Sequence, residues 1–88
     1  MNTLAKLILE HLDKAGTNML PEGTLRLELR EMMRPPASDM DFNIAFAWLE
    51  KKGFAASEPD ELSEEKMWFI TEAGRVVRLR RNPRAPRE

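Results

Sequence analysis

The sequence predicts a mainly helical α+β fold in which three helices are followed by a β-hairpin and a short fourth helix. Up to residue 52, apolar residues recur at three- and four-residue intervals, which is the period of helices with one buried face. Beyond that point two short extended segments flank a polar turn, as in a hairpin. A chain of 88 residues accommodates one domain. We therefore expect a folded unit over residues 1–81 and a basic disordered tail over residues 82–88.

The first helix is predicted over residues 3–15, where four apolar side chains share one face. These are Leu4, Leu7, Ile8 and Leu12. Gly16 follows the last turn as a C-terminal cap. Beyond it, Met19 and Leu20 could form a brief strand.

The second helix is predicted to begin with Pro21 at its first helical position, where a missing N–H costs nothing. Its apolar stripe is Leu25, Leu29, Met32 and Met33. We expect it to end at Arg34, because two prolines follow and neither can continue a helix. The methionines near this bend, including Met40, are expected to fill gaps in the core.

The third helix is predicted over residues 38–52, with Ser38 as its N-cap and Gly53 as its C-terminal cap. Two aspartates in its first turn complement the positive end of the helix dipole. Its inward stripe is Phe42, Ala45, Phe46 and Leu49.

The hairpin is predicted from extended segments at residues 54–57 and 66–70. The turn between them is crowded with carboxylates, namely Glu58, Asp60, Glu61, Glu64 and Glu65. Thr71 is expected to cap a short last helix that Gly74 weakens and that Asn82 and Pro83 end.

The formal net charge of −1 conceals a strong asymmetry along the chain. Residues 1–74 carry eight Lys and Arg against fourteen Asp and Glu, whereas residues 75–88 carry six Arg against one Glu. An acidic body with a basic end attracts different partners at its two parts. A tail that serves only solubility is the alternative.

The composition argues against catalysis. There is no cysteine and only one histidine, His11, so the usual zinc sites and thiolate nucleophiles are excluded. No apolar run approaches the roughly 20 residues that cross a bilayer, and Glu10 comes too early for a signal peptide. We expect a cytoplasmic protein that is not an enzyme and uses no cofactor, metal or small-molecule substrate.

Two phrases of the sequence resemble the winged-helix branch of small bacterial and phage helix-turn-helix regulators. One is Leu-Glu-Lys-Lys-Gly-Phe at residues 49–54, and the other is Ile-Thr-Glu-Ala-Gly-Arg at residues 70–75. The resemblance spans roughly residues 3–80. It implies a three-helix winged-helix core in which residues 38–52 form the recognition helix and residues 54–70 form the wing.

The function that this resemblance implies is a DNA-binding transcriptional regulator, which could be a homodimer. In the third helix only Asn43 and Lys51 are outward residues of the types that read base edges. Arginines of the last helix are the expected phosphate contacts, because the acidic wing would repel DNA. The candidate DNA-binding residues are Asn43, Lys51, Arg75, Arg78 and Arg81.

The alternative is a protein–protein interaction module that keeps this fold and binds no DNA. Ile44, Ala47 and Trp48 would then form the interface on the outer face of the third helix, by docking a partner or by homodimerisation. Trp48 is either a surface anchor or a side chain that packs on the wing near Trp68.

Overall fold

The computed structural model describes residues 3–16 and 18–81, which form four helices and three strands. Within those residues the order is α1 (Thr3–Ala15), β1 (Leu20–Pro21), α2 (Glu22–Arg30), α3 (Asp39–Lys52), β2 (Ala55–Pro59), β3 (Lys66–Ile70) and α4 (Glu72–Arg81). The predicted α+β architecture with a mainly helical content, a hairpin and a fourth helix is confirmed. The predicted tail, residues 82–88, lies outside the described residues.

The core lies between the first three helices and the central strand of the sheet. Each helix contributes the apolar side chains of one face, and the largest buried side chain is Trp68 of β3. The other fully buried large side chains are Leu4, Ile8, Leu9, Leu12, Leu25, Leu29, Phe42 and Leu49. Burial of these side chains is the main source of stability for a chain of this size.

The three strands form one antiparallel sheet in the order β1-β3-β2. In the hairpin Ala55 pairs with Ile70 and Pro59 with Lys66, and β1 joins the other edge of β3 by pairing Leu20 with Trp68. The short first strand therefore ties the hairpin to the start of α2.

The residues that flank α2 differ from the prediction. Pro21 is the N-cap rather than the first helical residue, because its ψ of 141° keeps it extended for pairing in β1. The helix ends at Arg30, and the next residues form a turn in which the N–H of Met32 donates to the carbonyl of Leu29. Met32 is consequently exposed, whereas Met33 packs against the edge of the core.

The caps of α3 and α4 follow the sequence. Ser38 and Asp41 form a capping box at the start of α3, and Gly53 ends this helix in the left-handed conformation at a φ of 78°. Thr71 accepts a hydrogen bond from the N–H of Gly74, which caps α4. Gly74 is also buried. A Cβ at this position would overlap with the carbonyl oxygen of Phe54 and lie 2.8 Å from Cγ1 of Ile70. This glycine allows α4 to approach the start of the hairpin.

Candidate functional site

Helix α3 carries a second apolar stripe on the side that faces away from the core. Met40 is 66% exposed and Ile44 is 55% exposed, and Ala47 is exposed beside them. We call Met40, Ile44, Ala47 and Trp48 the outer face of α3. Steps of four and three residues place these side chains on one side of the helix. An apolar strip of this kind in water is typical of a protein contact.

Trp48 is half-buried at the C-terminal end of this outer face. Its ring meets Phe54 edge-on, with the centroids 5.8 Å apart, and the Lys52 ammonium lies 5.8 Å from the Trp48 ring. Trp68 instead stacks on Phe46 at 4.6 Å on the inner side of α3. Trp48 therefore packs against the residue that precedes the hairpin and still presents part of its ring to solvent.

Asn43 belongs to a polar seam between α2 and α3. Its side-chain oxygen accepts a hydrogen bond of 2.7 Å from Arg26, whose guanidinium also donates to Glu22 at 2.8 Å. The same guanidinium lies 5.4 Å from the ring of Phe42 and so covers the edge of the core. Asp39 closes the seam by accepting a hydrogen bond of 2.7 Å from Arg30.

Glu22 links this seam to the sheet. Its second carboxylate oxygen accepts a hydrogen bond of 2.9 Å from the indole N–H of Trp68. Burial raises the pKa of Glu22, but the hydrogen bonds from Trp68 and Arg26 together with the positive charges of Arg26 and Lys66 outweigh it. The net result is a pKa below the ordinary value of 4.5, so this carboxylate is ionised at neutral pH.

The two ends of α3 carry opposite charge. Asp39 and Asp41 lie in the first turn, and Lys51 and Lys52 lie in the last turn. Both sets oppose the partial charges of the helix dipole and stabilise the helix. Asp41 and Lys51 are exposed at the two ends of the outer face.

The turn of the hairpin is ordered and acidic. Asp60 accepts hydrogen bonds from the N–H groups of Ser63 and Leu62 and from the Ser63 hydroxyl, and the Ser63 N–H is the main cause of its lowered pKa. Glu65 accepts a hydrogen bond of 2.9 Å from the N–H of Gly23 and so holds the turn against α2. The remaining carboxylates, on Glu58, Glu61 and Glu64, are exposed.

An open cleft of about 390 Å³ lies between the hairpin and α2. Its lining is Glu22, Gly23, Arg26, Glu65 and Lys66. Glu22, Arg26 and Glu65 already hydrogen-bond to one another or to neighbouring elements. The cleft therefore offers an incoming ligand few uncommitted polar groups.

The candidate arginines lie on a different element from Asn43 and Lys51. Arg78 is partly buried against α1, where it donates to Asp13 at 2.8 Å and lies 3.5 Å from Glu10. Arg75 is exposed and donates to the carbonyl of Gly16 at 3.2 Å. Arg81 is the last residue of α4, and its side chain lies outside the described part of the structure.

Two features of this surface are not predicted from the sequence. Met40 belongs to the outer face of α3 rather than to the core, and its four-residue spacing from Ile44 is the signal that could have placed it there. The seam through Arg26 is signalled only by the spacing of Glu22 and Arg26, which puts them on neighbouring turns of α2. The hydrogen bond from Arg26 to Asn43 depends on how α2 packs against α3, and the spacing of residues along α2 does not predict that packing.

Two kinds of site are not found among the described residues. No group of three or more His, Asp or Glu side chains there could hold a metal ion. No helix in residues 3–16 or 18–81 has the length and apolar character to cross a membrane.

Comparison with protein-family models, curated proteins and solved structures gives no significant match.

Proposed function

We propose that this chain is a winged-helix protein whose third helix contacts another protein instead of reading DNA bases. The order of its elements supports the fold assignment, because three helices are followed by a hairpin that packs back against them. The observation that carries the docking role is the exposed apolar outer face of α3.

The side chains of α3 supply little that could read bases. Base edges are recognised mainly by Arg, Lys, Asn and Gln. Asn43 already gives its side-chain oxygen to Arg26, and the basic side chains of α3, on Lys51 and Lys52, lie in its last turn. Ile44 and Ala47 lie between Asn43 and that turn and offer no hydrogen bond.

The hairpin adds a charge argument against DNA at this surface. The end of β2 and the turn together carry five carboxylates over residues 58–65, without a Lys or Arg among them. Phosphates near that turn would be repelled, whereas DNA binding gains free energy when Lys and Arg displace counterions. The turn is also held in place by the bond between Glu65 and Gly23, so it does not swing away from α2 without losing that contact.

DNA binding by the C-terminal arginines is a second candidate function, and the segregation of charge favours it. Arg75 is exposed on α4, and the last fourteen residues hold six arginines. Binding of this kind would be non-specific and salt-sensitive. Arg78 contributes to it only if it leaves Asp13 and Glu10.

Fluorescence anisotropy with a labelled duplex of mixed sequence, at several salt concentrations, tests the proposal. We expect Asn43→Ala to change any affinity by less than about twofold, and Lys51→Ala to act no more strongly than Lys14→Ala, which removes an exposed charge from the last turn of α1. Arg75→Ala should weaken whatever salt-sensitive binding exists. Binding of the duplex that is lost in both α3 variants but retained in Lys14→Ala would overturn the proposal.

A further inference from the structure

We infer that the partner of α3 is a second copy of this chain, paired through the outer face of α3 in antiparallel orientation about a two-fold axis. This inference rests on the proposed function and names the occupant of its docking surface. Three properties of α3 lead to it: the spacing of its apolar side chains, the small residue at their centre, and the opposite charges at its ends.

The spacing suits a helix–helix contact. The side chains along this face recur at intervals of four, three and four residues, in the order Met40, Ile44, Ala47 and Lys51. This is the repeat of side chains that pack between two helices at a small crossing angle. A partner of this kind is itself a helix, and the simplest self-complementary partner is the same helix related by a two-fold axis.

The charges select the antiparallel arrangement. A two-fold axis that crosses the outer face at the level of Phe46 puts Asp41 of each copy level with Lys51 of the other. Those residues are ten positions apart, or about 15 Å along the helix axis, so the two ion pairs lie at opposite ends of the contact. The antiparallel orientation also opposes the two helix dipoles. A parallel pair would instead place like charges together.

The same axis gives a consistent apolar centre. Ile44 of each copy lies level with Trp48 of the other, and Trp48 still has exposed ring surface to contribute. Ala47 lies nearest the axis, where a small side chain lets the two backbones approach. A single helix pair covers less than the 1,200 Å² or so of a standard interface. We therefore expect a weak, concentration-dependent dimer.

Sedimentation equilibrium of the full chain from about 10 to 500 µM tests the inference. Wild type should move from monomer towards dimer over this range. Ala47→Glu, which places two carboxylates at the axis, should weaken association at least about tenfold, and Lys51→Glu, which opposes Asp41 of the second copy, by a smaller factor. The matched controls Ala73→Glu and Lys14→Glu, at exposed positions of α4 and α1, should change it by less than about twofold.

The outcomes separate this inference from the proposed function. A dimer that ignores Ala47→Glu and Lys51→Glu would overturn the inference by showing that the copies meet elsewhere. A monomer at all concentrations would also overturn it. A photocrosslinker at position 47 then tests the proposed function, with the same crosslinker at position 73 as the control. Attachment to a different protein from position 47 but not from position 73 leaves the proposed function standing. Crosslinking of position 47 to duplex DNA overturns both the inference and the proposed function. Thermal melting of each variant by circular dichroism confirms that it folds.

Discussion

Helices α3 and α4 are held to the rest of the protein by different forces. α3 buries Phe42, Ala45, Phe46 and Leu49 in the core. Among the described side chains of α4 none is buried, and this helix rests on the close approach at Gly74 and on the ion pairs of Arg78. The exposed residues of the outer face, Met40, Ile44 and Ala47, can therefore change without loss of the fold. A ligand that recruits Arg78 from α4, in contrast, also removes one of the contacts that hold that helix.

The largest effect should come from the inner face of α3. Phe42→Ala removes a fully buried ring and is expected to lower the free energy of unfolding by about 3–5 kcal/mol, because the space it leaves is not refilled. Ile44→Ala on the outer face should change the free energy of unfolding by less than about 0.5 kcal/mol. Urea denaturation at low protein concentration measures both for the monomer.

Phe42→Leu provides a milder test if the alanine variant does not fold, with an expected loss of about 1–2 kcal/mol. Equal losses for Ile44→Ala and Phe42→Leu would contradict the distinction between the two faces of α3.

The second-largest effect should come from Gly74 in α4, and its sign is the opposite of the one that helix propensity predicts. Alanine is favoured over glycine inside a helix by about 0.5–1 kcal/mol. Gly74→Ala should nevertheless destabilise the protein by about 1–3 kcal/mol, because the new Cβ would overlap with the carbonyl oxygen of Phe54. Thermal melting measures the change, and Ala73→Gly at the preceding exposed position is the matched control. A Gly74→Ala variant more stable than wild type would show that α4 has no fixed contact with the hairpin.

The smallest effect concerns the polar seam at the edge of α3. Glu22→Gln should cost about 1 kcal/mol at pH 7, because Gln retains an acceptor for Trp68 but loses the charge opposite Arg26. The pKa of Glu22 is lowered in the folded protein, so its carboxylate stabilises the fold above pH 4.5 and this contribution is lost as the pH falls through the lowered value. The difference between wild type and variant should therefore shrink on acidification.

Urea denaturation at pH 7, 5, 4 and 3 measures that difference. Asp60 also has a lowered pKa but is present in both proteins, so subtraction isolates Glu22. Glu31→Gln, at an exposed position after α2, is the control for loss of a carboxylate. A difference that stays constant down to pH 3 would mean that the ionised form of Glu22 contributes nothing.

Sequence predicts the elements best where local chemistry decides them. The bounds of α3 follow from Ser38, Asp41 and Gly53, which act on the backbone within one turn. The end of α2 does not, because Met32 fits the helical spacing while the chain leaves the helix at Arg30. The prolines at residues 35 and 36 show that the helix must stop, but not at which earlier residue it does so.

The candidate site is less predictable than the fold. Exposure of Ile44 and Ala47 follows from the helical period, since the opposite face is the buried one. Residue type alone predicts that Asn43 and Arg78 contact DNA. In the structure Asn43 accepts a hydrogen bond from Arg26 and Arg78 donates one to Asp13, and both bonds depend on how the helices pack. A free donor or cation cannot be inferred from sequence until the neighbouring helix is known.

The contact between Glu22 and Trp68 has a consequence for the order in which the protein is assembled. The two residues are 46 positions apart, and Trp68 also supplies the largest side chain of the core. As the chain leaves the ribosome, α1, α2 and α3 are complete before Trp68 has been synthesised. During that interval Phe46 lacks its stacking partner and the nascent helices expose apolar surface to other chains. The core between the three helices is therefore complete only once β3 has been added.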